Sequence, residues 1–309
     1  MSLELNRRRF LKQTGGLLVA GGAIELLLAA CGGNVSPTGS GPSTSVAGQT
    51  PIGNAGLMVP GTWQWGADYV SGAPYVFQNP ANPNELVGFE VEIAVAIAQL
   101  MNVKQKMTET CYGELDQALS ANKFDAVMNG WEIRDERKKT QIFSDPYYHY
   151  GQQIVVRADD PHFAQYNNTS DVTLDVLHGY TVGTGDGYKA ADYLTADSKI
   201  TTKLYTGNQP FDDVKQKKID AAMVDVPIVA YYVSGAGPGA TPDTSLKLLG
   251  KPLFFSDYVV GFNKSNSNAV TLQTEINQAI SALKKDGTLK KIYQKWALWN
   301  DAQATIGIQ

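Results

Sequence analysis

Cysteine and histidine are nearly absent. Two cysteines, Cys31 and Cys111, and three histidines occur among 309 residues. Two thiols are too few for a disulfide framework to be the source of stability. His149, His162 and His178 fit no metal-ligand spacing, so no metal site is expected. No Ser/His/Asp or Cys/His arrangement is visible, so no residue is assigned a catalytic role and no cofactor is expected. Gly183-x-Gly185-x-Gly187 is not a dinucleotide fingerprint, because the third glycine comes too early. Positive charge is also short: the formal net charge is −4, which argues against nucleic acid as the main partner. A long uninterrupted apolar run is missing as well. The run from Gly15 to Ala30 is broken by Glu25 and is too short for a comfortable membrane span. What is present is 43% hydrophobic and 18% charged, the composition of a globular protein, in a chain long enough for one large domain or two medium ones.

The first 31 residues read as an address. Arg7-Arg8-Arg9 precedes the apolar run, and Asn6-Arg7-Arg8-Arg9-Phe10-Leu11-Lys12 resembles a twin-arginine export signal, although Asn6 replaces the usual Ser or Thr. Leu28-Ala29-Ala30-Cys31 resembles a lipobox, which makes Cys31 the expected lipidation site. With the basic leader removed, the remainder is more acidic than the whole. Residues 32–52 are rich in Gly, Ser, Thr and Pro and cannot bury enough apolar surface to offset ordering, so they read as a flexible tether.

Strand and helix patterns then alternate. Leu57-Met58-Val59 reads as a first strand, followed by a polar, aromatic loop to about Glu85. A helix is expected over 91–100, a strand over 104–107, a helix over 112–121 and a buried strand over 124–128. Strands follow at 153–156, 180–183 and 221–224, helices run through Tyr193 and over 227–233, and residues 270–299 are mostly helical. This alternation predicts an open α/β architecture, in which ligands sit at the carboxyl ends of strands. Asn129-Gly130-Trp131-Glu132 and Thr184-Gly185-Asp186-Gly187 occupy such positions; spacing alone is equally compatible with ordinary strand-to-helix turns.

Three segments carry a specific resemblance. These are Leu86-Val87-Gly88-Phe89-Glu90-Val91-Glu92-Ile93; Glu136-Arg137-Lys138-Lys139 with Phe143-Ser144-Asp145-Pro146-Tyr147-Tyr148; and Leu283-Lys284-Lys285-Asp286-Gly287-Thr288-Leu289 with Ile292-Tyr293-Gln294-Lys295-Trp296. Together they are similar to the polar-amino-acid solute-binding proteins of ABC importers, over about residues 57–299. The resemblance implies the two-lobed type II periplasmic-binding fold. Lobe one would span 53–149 and 257–309, and lobe two 152–254. The two crossing segments near His149-Tyr150-Gly151 and Phe254-Phe255-Ser256 would form the hinge.

The same resemblance implies site roles. Arg137 would grip a ligand carboxylate through its planar guanidinium, with a surface salt bridge to Asp135 or Glu136 as the alternative. Asp225 would receive an ammonium group, or else serve as a helix N-cap before Pro227. Gly130 would offer backbone groups beside Trp131. Tyr112 would stack on the ligand, or simply pack in the core. Three departures from the family pattern bear on selectivity. Glu132 stands where the family has Thr or Ser, and is expected to face a cationic or donor-rich part of the ligand unless it is protonated or pairs with Arg134 or Arg137. Tyr188-Lys189 replaces a Thr-Thr pair, leaving Thr184, Asp186 and Gly187 nearby. Trp63, Trp65 and Tyr69 in the first loop either box a ligand side chain or pack on themselves.

The expected protein is therefore an exported, lipid-anchored monomer that captures an amino acid, basic or polar, and delivers it to the permease of an ABC importer. Two other classes stand beside it: a cyclohexadienyl-dehydratase-like enzyme on the same fold, using Glu132 in proton transfer, and a sensing module for a membrane receptor.

Overall fold

The computed structural model describes residues 52–309 apart from 71 and 208; the export signal, Cys31 and most of the tether fall outside the described residues. Among the described residues twelve strands are formed: β1 Thr62–Ala67, β2 Phe77–Asn79, β3 Asn82–Val87, β4 Lys104–Glu109, β5 Ala126–Val127, β6 Gln141–Phe143, β7 Tyr148–Arg157, β8 Thr181–Gly185, β9 Thr201–Tyr205, β10 Ala221–Asp225, β11 Leu246–Tyr258 and β12 Gly261–Asn263. They make two five-stranded sheets, in the orders β4-β1-β5-β12-β6 and β11-β7-β10-β8-β9, and a β2-β3 hairpin. β1 runs parallel to β4 and β5, and β8 parallel to β9 and β10, while β7 and β11 pair antiparallel. The sheets form the cores of two lobes. β7 and β11 belong to the second, and their Tyr148 and Tyr258 ends reach into the first.

The first strand is a correction to the sequence expectation. It lies at Thr62–Ala67, not at 57–59, so Trp63 and Trp65 are strand residues and not a loop cluster. Apolar side chains at 63, 65 and 67 alternate and are all fully buried, as a strand facing a core requires. The helix expected over 112–121 divides into a 3-10 turn, Tyr112–Glu114, and a helix, Leu115–Ser120. The C-terminal helical stretch breaks at Gly287 into Ala269–Lys285 and Thr288–Lys295. β9, β11 and the β2-β3 hairpin had no clear sequence signal.

The long helix Ala269–Lys285 buries Leu272, Ile276, Ala279, Ile280 and Leu283, the one-face spacing of a core-packed helix. The buried Glu275 breaks that apolar stripe. Its carboxylate accepts from the backbone N–H groups of Ala55 (2.8 Å) and Gly56 (3.1 Å), which fastens the start of the lobe to its last elements. Asp125 does the same between Met58 and Gln64, at 2.7 Å each.

One junction positions the site directly. Helix Phe89–Leu100 begins after Gly88, whose φ is +142°. Phe89 and Glu90 donate their backbone N–H groups to Pro74 O and Tyr75 O, docking the Gly72–Val76 turn on the helix start. A Cβ on Gly88 would lie 2.0 Å from Tyr75 O. Gly88→Ala should therefore cost about 3 kcal/mol. Thermal unfolding is expected to show a drop of several degrees, against little change for Gly113→Ala, where a Cβ meets nothing within 4 Å.

Candidate functional site

A cavity lies between the lobes, at the carboxyl ends of β1, β5 and β10. It is lined by Asp68, Gly72, Tyr75, Tyr112, Asn129, Gly130, Glu132, Tyr188, Asp225 and Ile228, and measures about 20 Å³. That is room for about one water molecule, so any larger solute requires the lobes to part. Three carboxyl groups line it, and no lysine, arginine or histidine does.

Asp225 ends β10, where the Ala221–Val224 run carries it out of the buried sheet. Its carboxylate accepts from Gln152 Nε2 (2.8 Å), Tyr258 Oη (2.5 Å) and Tyr75 Oη (3.4 Å), and the two phenols are themselves 2.7 Å apart. The Tyr75 contact joins the lobes. Burial pushes the Asp225 carboxyl up to about 6, against these three donors, which favour the charged form. Glu132 follows β5 and is held by a bridge to Tyr258 on β11. One of its oxygens accepts from Tyr150 Oη, and Oε2, fully buried, has no donor. Burial, then the charge on Asp225, push the Glu132 carboxyl up to about 8; Tyr150, Arg137 and Arg134 act the other way.

The aromatic wall is built from Tyr75, Tyr112 and Tyr188. Tyr112 meets Tyr188 edge-on at 5.4 Å and Trp131 at 5.8 Å. Outside the cavity at its rim, Arg134 of the first lobe donates to Gly187 O (2.8 Å) and to the Asp192 carboxylate of the second.

Of the expected site residues, the structure brings Tyr112, Gly130, Glu132, Tyr188 and Asp225 to the cavity. The Gly130 N–H is already committed: it donates to Glu90 Oε1 at 2.7 Å, and only its carbonyl remains for a solute. Arg137 is placed elsewhere. Its guanidinium lies 3.3 Å from the Trp131 ring centre, pairs with Asp116 at 3.3 Å, and donates to Glu132 O at 3.0 Å. A planar cation stacked on an indole and bonded to Tyr112 and the Glu132 carbonyl braces the 130–132 turn and is not among the lining residues of the cavity. Trp131 is fully buried beneath it and donates to Gln141 Oε1 at 2.9 Å. Thr184 is fully buried outside the lining, with its hydroxyl unpartnered. Asp186 is exposed, and Gly187 serves the rim contact with Arg134. Trp63 and Trp65 stack on each other within the lobe-one core, and Trp65 donates to Gln105 Oε1 at 2.8 Å. Tyr69 is half-buried outside the cavity, its N–H given to Glu109.

Asp68, Gly72, Tyr75 and Ile228 are lining residues that sequence reasoning missed, while Asn129 lines the cavity as part of the turn singled out after β5. The signal for Asp68 was available: once β1 ends at Ala67, the next residue stands at the carboxyl end of a strand. Its carboxylate accepts from Val70 N (2.8 Å) and Tyr112 N (3.2 Å), and Asn129 accepts its N–H.

The raised carboxyls have a consequence for stability. Between about pH 4.5 and 8 the native state holds protons on Glu132, Glu90 and Asp225 that the unfolded chain has released, so stability falls as pH rises through that window. Glu132→Gln, which stays neutral throughout, should match the parent protein near pH 5 and melt about 2 °C or more above it at pH 8. Differential scanning calorimetry across that range is the check; parallel curves would remove the buried-proton account.

The sequence comparisons agree with this architecture. The family of bacterial extracellular solute-binding proteins, family 3, matches residues 68–298. A probable amino-acid-binding protein of Bacillus subtilis, YxeM, is 31% identical over 230 residues, covering 73% of this chain and 81% of its own length. The structure of an ancestral arginine-binding protein bound to arginine is 31% identical with a TM-score of 0.64, covering 76% of this chain and 98% of that one. An ancestral amino-acid-binding protein, precursor of cyclohexadienyl dehydratase, is 26% identical with a TM-score of 0.64, covering 76% and 95%. With the family match spanning most of the two lobes and the cavity lying between them, the chain belongs to the bacterial extracellular solute-binding proteins of family 3.

Proposed function

We propose that this protein is an extracytoplasmic lipoprotein, anchored through Cys31, that closes its lobes on an amino acid and presents it to the permease of an ABC importer. The observation that carries the reading is Asp225. A carboxylate at the end of a strand, held by three donors and lining the inter-lobe cavity, is placed to receive an ammonium group. A basic amino acid is favoured over an acidic one, because three carboxyl groups and no cationic side chain are among the described lining residues, so nothing there offsets a second carboxylate. The arginine-bound relative supports that preference.

Isothermal titration of the purified protein with the common amino acids tests the reading. At least one basic or polar amino acid is expected to bind with micromolar affinity or better and to raise Tm by mass action. Asp225→Asn should weaken that binding by about a hundredfold, since it removes a charge-assisted contact within a buried site. No response to any amino acid sinks the proposal. For the anchor, Cys31→Ser expressed with its own leader should move from the membrane fraction to the soluble fraction; continued membrane retention would refute the lipid.

A second reading rests on Glu132. A buried carboxyl that carries a proton near neutrality is the group a general acid requires. Incubation with a cyclohexadienyl acid, followed by chromatography for an aromatised product, separates the two readings. Turnover that is lost in Glu132→Gln would establish the enzyme, and none would leave the carrier alone.

A further inference from the structure

We propose that Glu132 determines specificity by taking a second cationic group of the solute, so that the cleft selects dications, with Asp225 holding one charge and Glu132 the other. The inference rests on the reading of this cavity as the solute site. It goes beyond it by assigning the charge pattern of the solute and the residue that enforces it.

Hydrogen-bond accounting separates the three acids that line the cavity. Asp68 gives an oxygen to each of two backbone N–H groups, Val70 and Tyr112. Asp225 is met by Gln152, Tyr258 and Tyr75. Glu132 differs: it lines the cavity, Tyr150 satisfies one of its oxygens, and Oε2, buried, meets no donor among the described residues. A buried acceptor without a donor is costly, and a solute N–H supplies one. Arg137 does not: its guanidinium is shared among Asp116, the backbone oxygen of Glu132 and the Tyr112 hydroxyl. The rings of Tyr75, Tyr112 and Tyr188 complete a lining suited to cations.

The two acids also come from different lobes, Glu132 after β5 and Asp225 at the end of β10. Closure brings both out of water and into each other's field. A single cation compensates one of them and leaves the other to hold a proton. A dication compensates both and ties the lobes together, so the second charge is read only in the closed form. The groups that face Glu132 are Asp225 on β10, Tyr150 on β7, Tyr258 on β11, Tyr193 from the second lobe, and Tyr112, Arg134 and Arg137 from the first. Glu90, which holds the same turn through Gly130 and is pushed up to about 7 by burial, is retained in both variants, so it is the loss of proton release in Glu132→Gln that reports Glu132.

The chemistry named, two cationic nitrogens on a short methylene chain, occurs in basic amino acids and in carboxylate-free diamines. The test is titration calorimetry at pH 7 of the purified protein with lysine, ornithine, arginine, putrescine and cadaverine, beside norleucine and glutamine, in buffers of different ionisation enthalpy. Dications are expected to bind at least about tenfold more tightly than glutamine or norleucine and to release a proton. Glu132→Gln, which keeps an acceptor for Tyr150, should reduce both the preference for dications and the proton release. Glu132→Thr supplies a second variant, with Tm confirming that each is folded. Equal affinity for lysine and norleucine, or an unchanged preference in both variants, overturns the inference and leaves the amino-acid carrier intact. Diamine binding without amino-acid binding upholds the inference and overturns the amino-acid reading.

Discussion

Two carboxyl groups that cannot both be charged in a dry cleft govern this structure. Glu132 and Asp225 approach from separate lobes and are screened from water by tyrosines. Without a compensating cation, closure drives protons onto them, because desolvation and mutual repulsion act in the same direction. The surrounding features answer that constraint. Tyr75, Tyr150 and Tyr258 supply neutral donors that satisfy oxygens without adding charge. Gln152 does the same from β7. Arg137, the nearest buried base, is held back by Trp131 and Asp116, so it softens the field of the acids without occupying the cavity.

The turn that carries Glu132 is braced from both sides. On one side Glu90, itself pushed up to about 7 by burial, accepts from Gly130 N and from Tyr147. On the other, Arg137 stacks over Trp131 and donates to the Glu132 carbonyl. Gly130 adopts φ +58°, a conformation that the braces hold and that glycine tolerates at little cost. Pre-organisation of this kind lowers the ordering cost of binding, because the turn that lines the cavity is already fixed before a solute arrives.

The sequence made the α/β alternation and one wall of the site legible because those features are local. A buried strand followed by Asp225, or by Asn129-Gly130, is visible within a few residues. Asp68 and Tyr75 were hidden by one misplaced strand. The alternation at Trp63, Trp65 and Ala67 was present, but aromatic and polar residues together read as a loop. Arg137 shows a different limit. Its position in a familiar segment says nothing of where its side chain turns, and Asp116 lies twenty-one residues away, so only packing brings the pair together. Trp63 and Trp65 illustrate the same point, since an aromatic residue suits a core as well as a ligand box, and burial alone separates the two.

The rim contact between Arg134 and Asp192 has a consequence for how such a clamp lets go. Both side chains remain partly open to solvent, at 19% and 37%. An ion pair so placed is worth about 1 kcal/mol or less and weakens as ionic strength rises. It is a clasp too weak to hold the jaws shut against a competing surface. A neighbouring charge offered to either residue competes with it directly, so the rim of the cavity is fastened by a contact that ionic strength and nearby charge can tune.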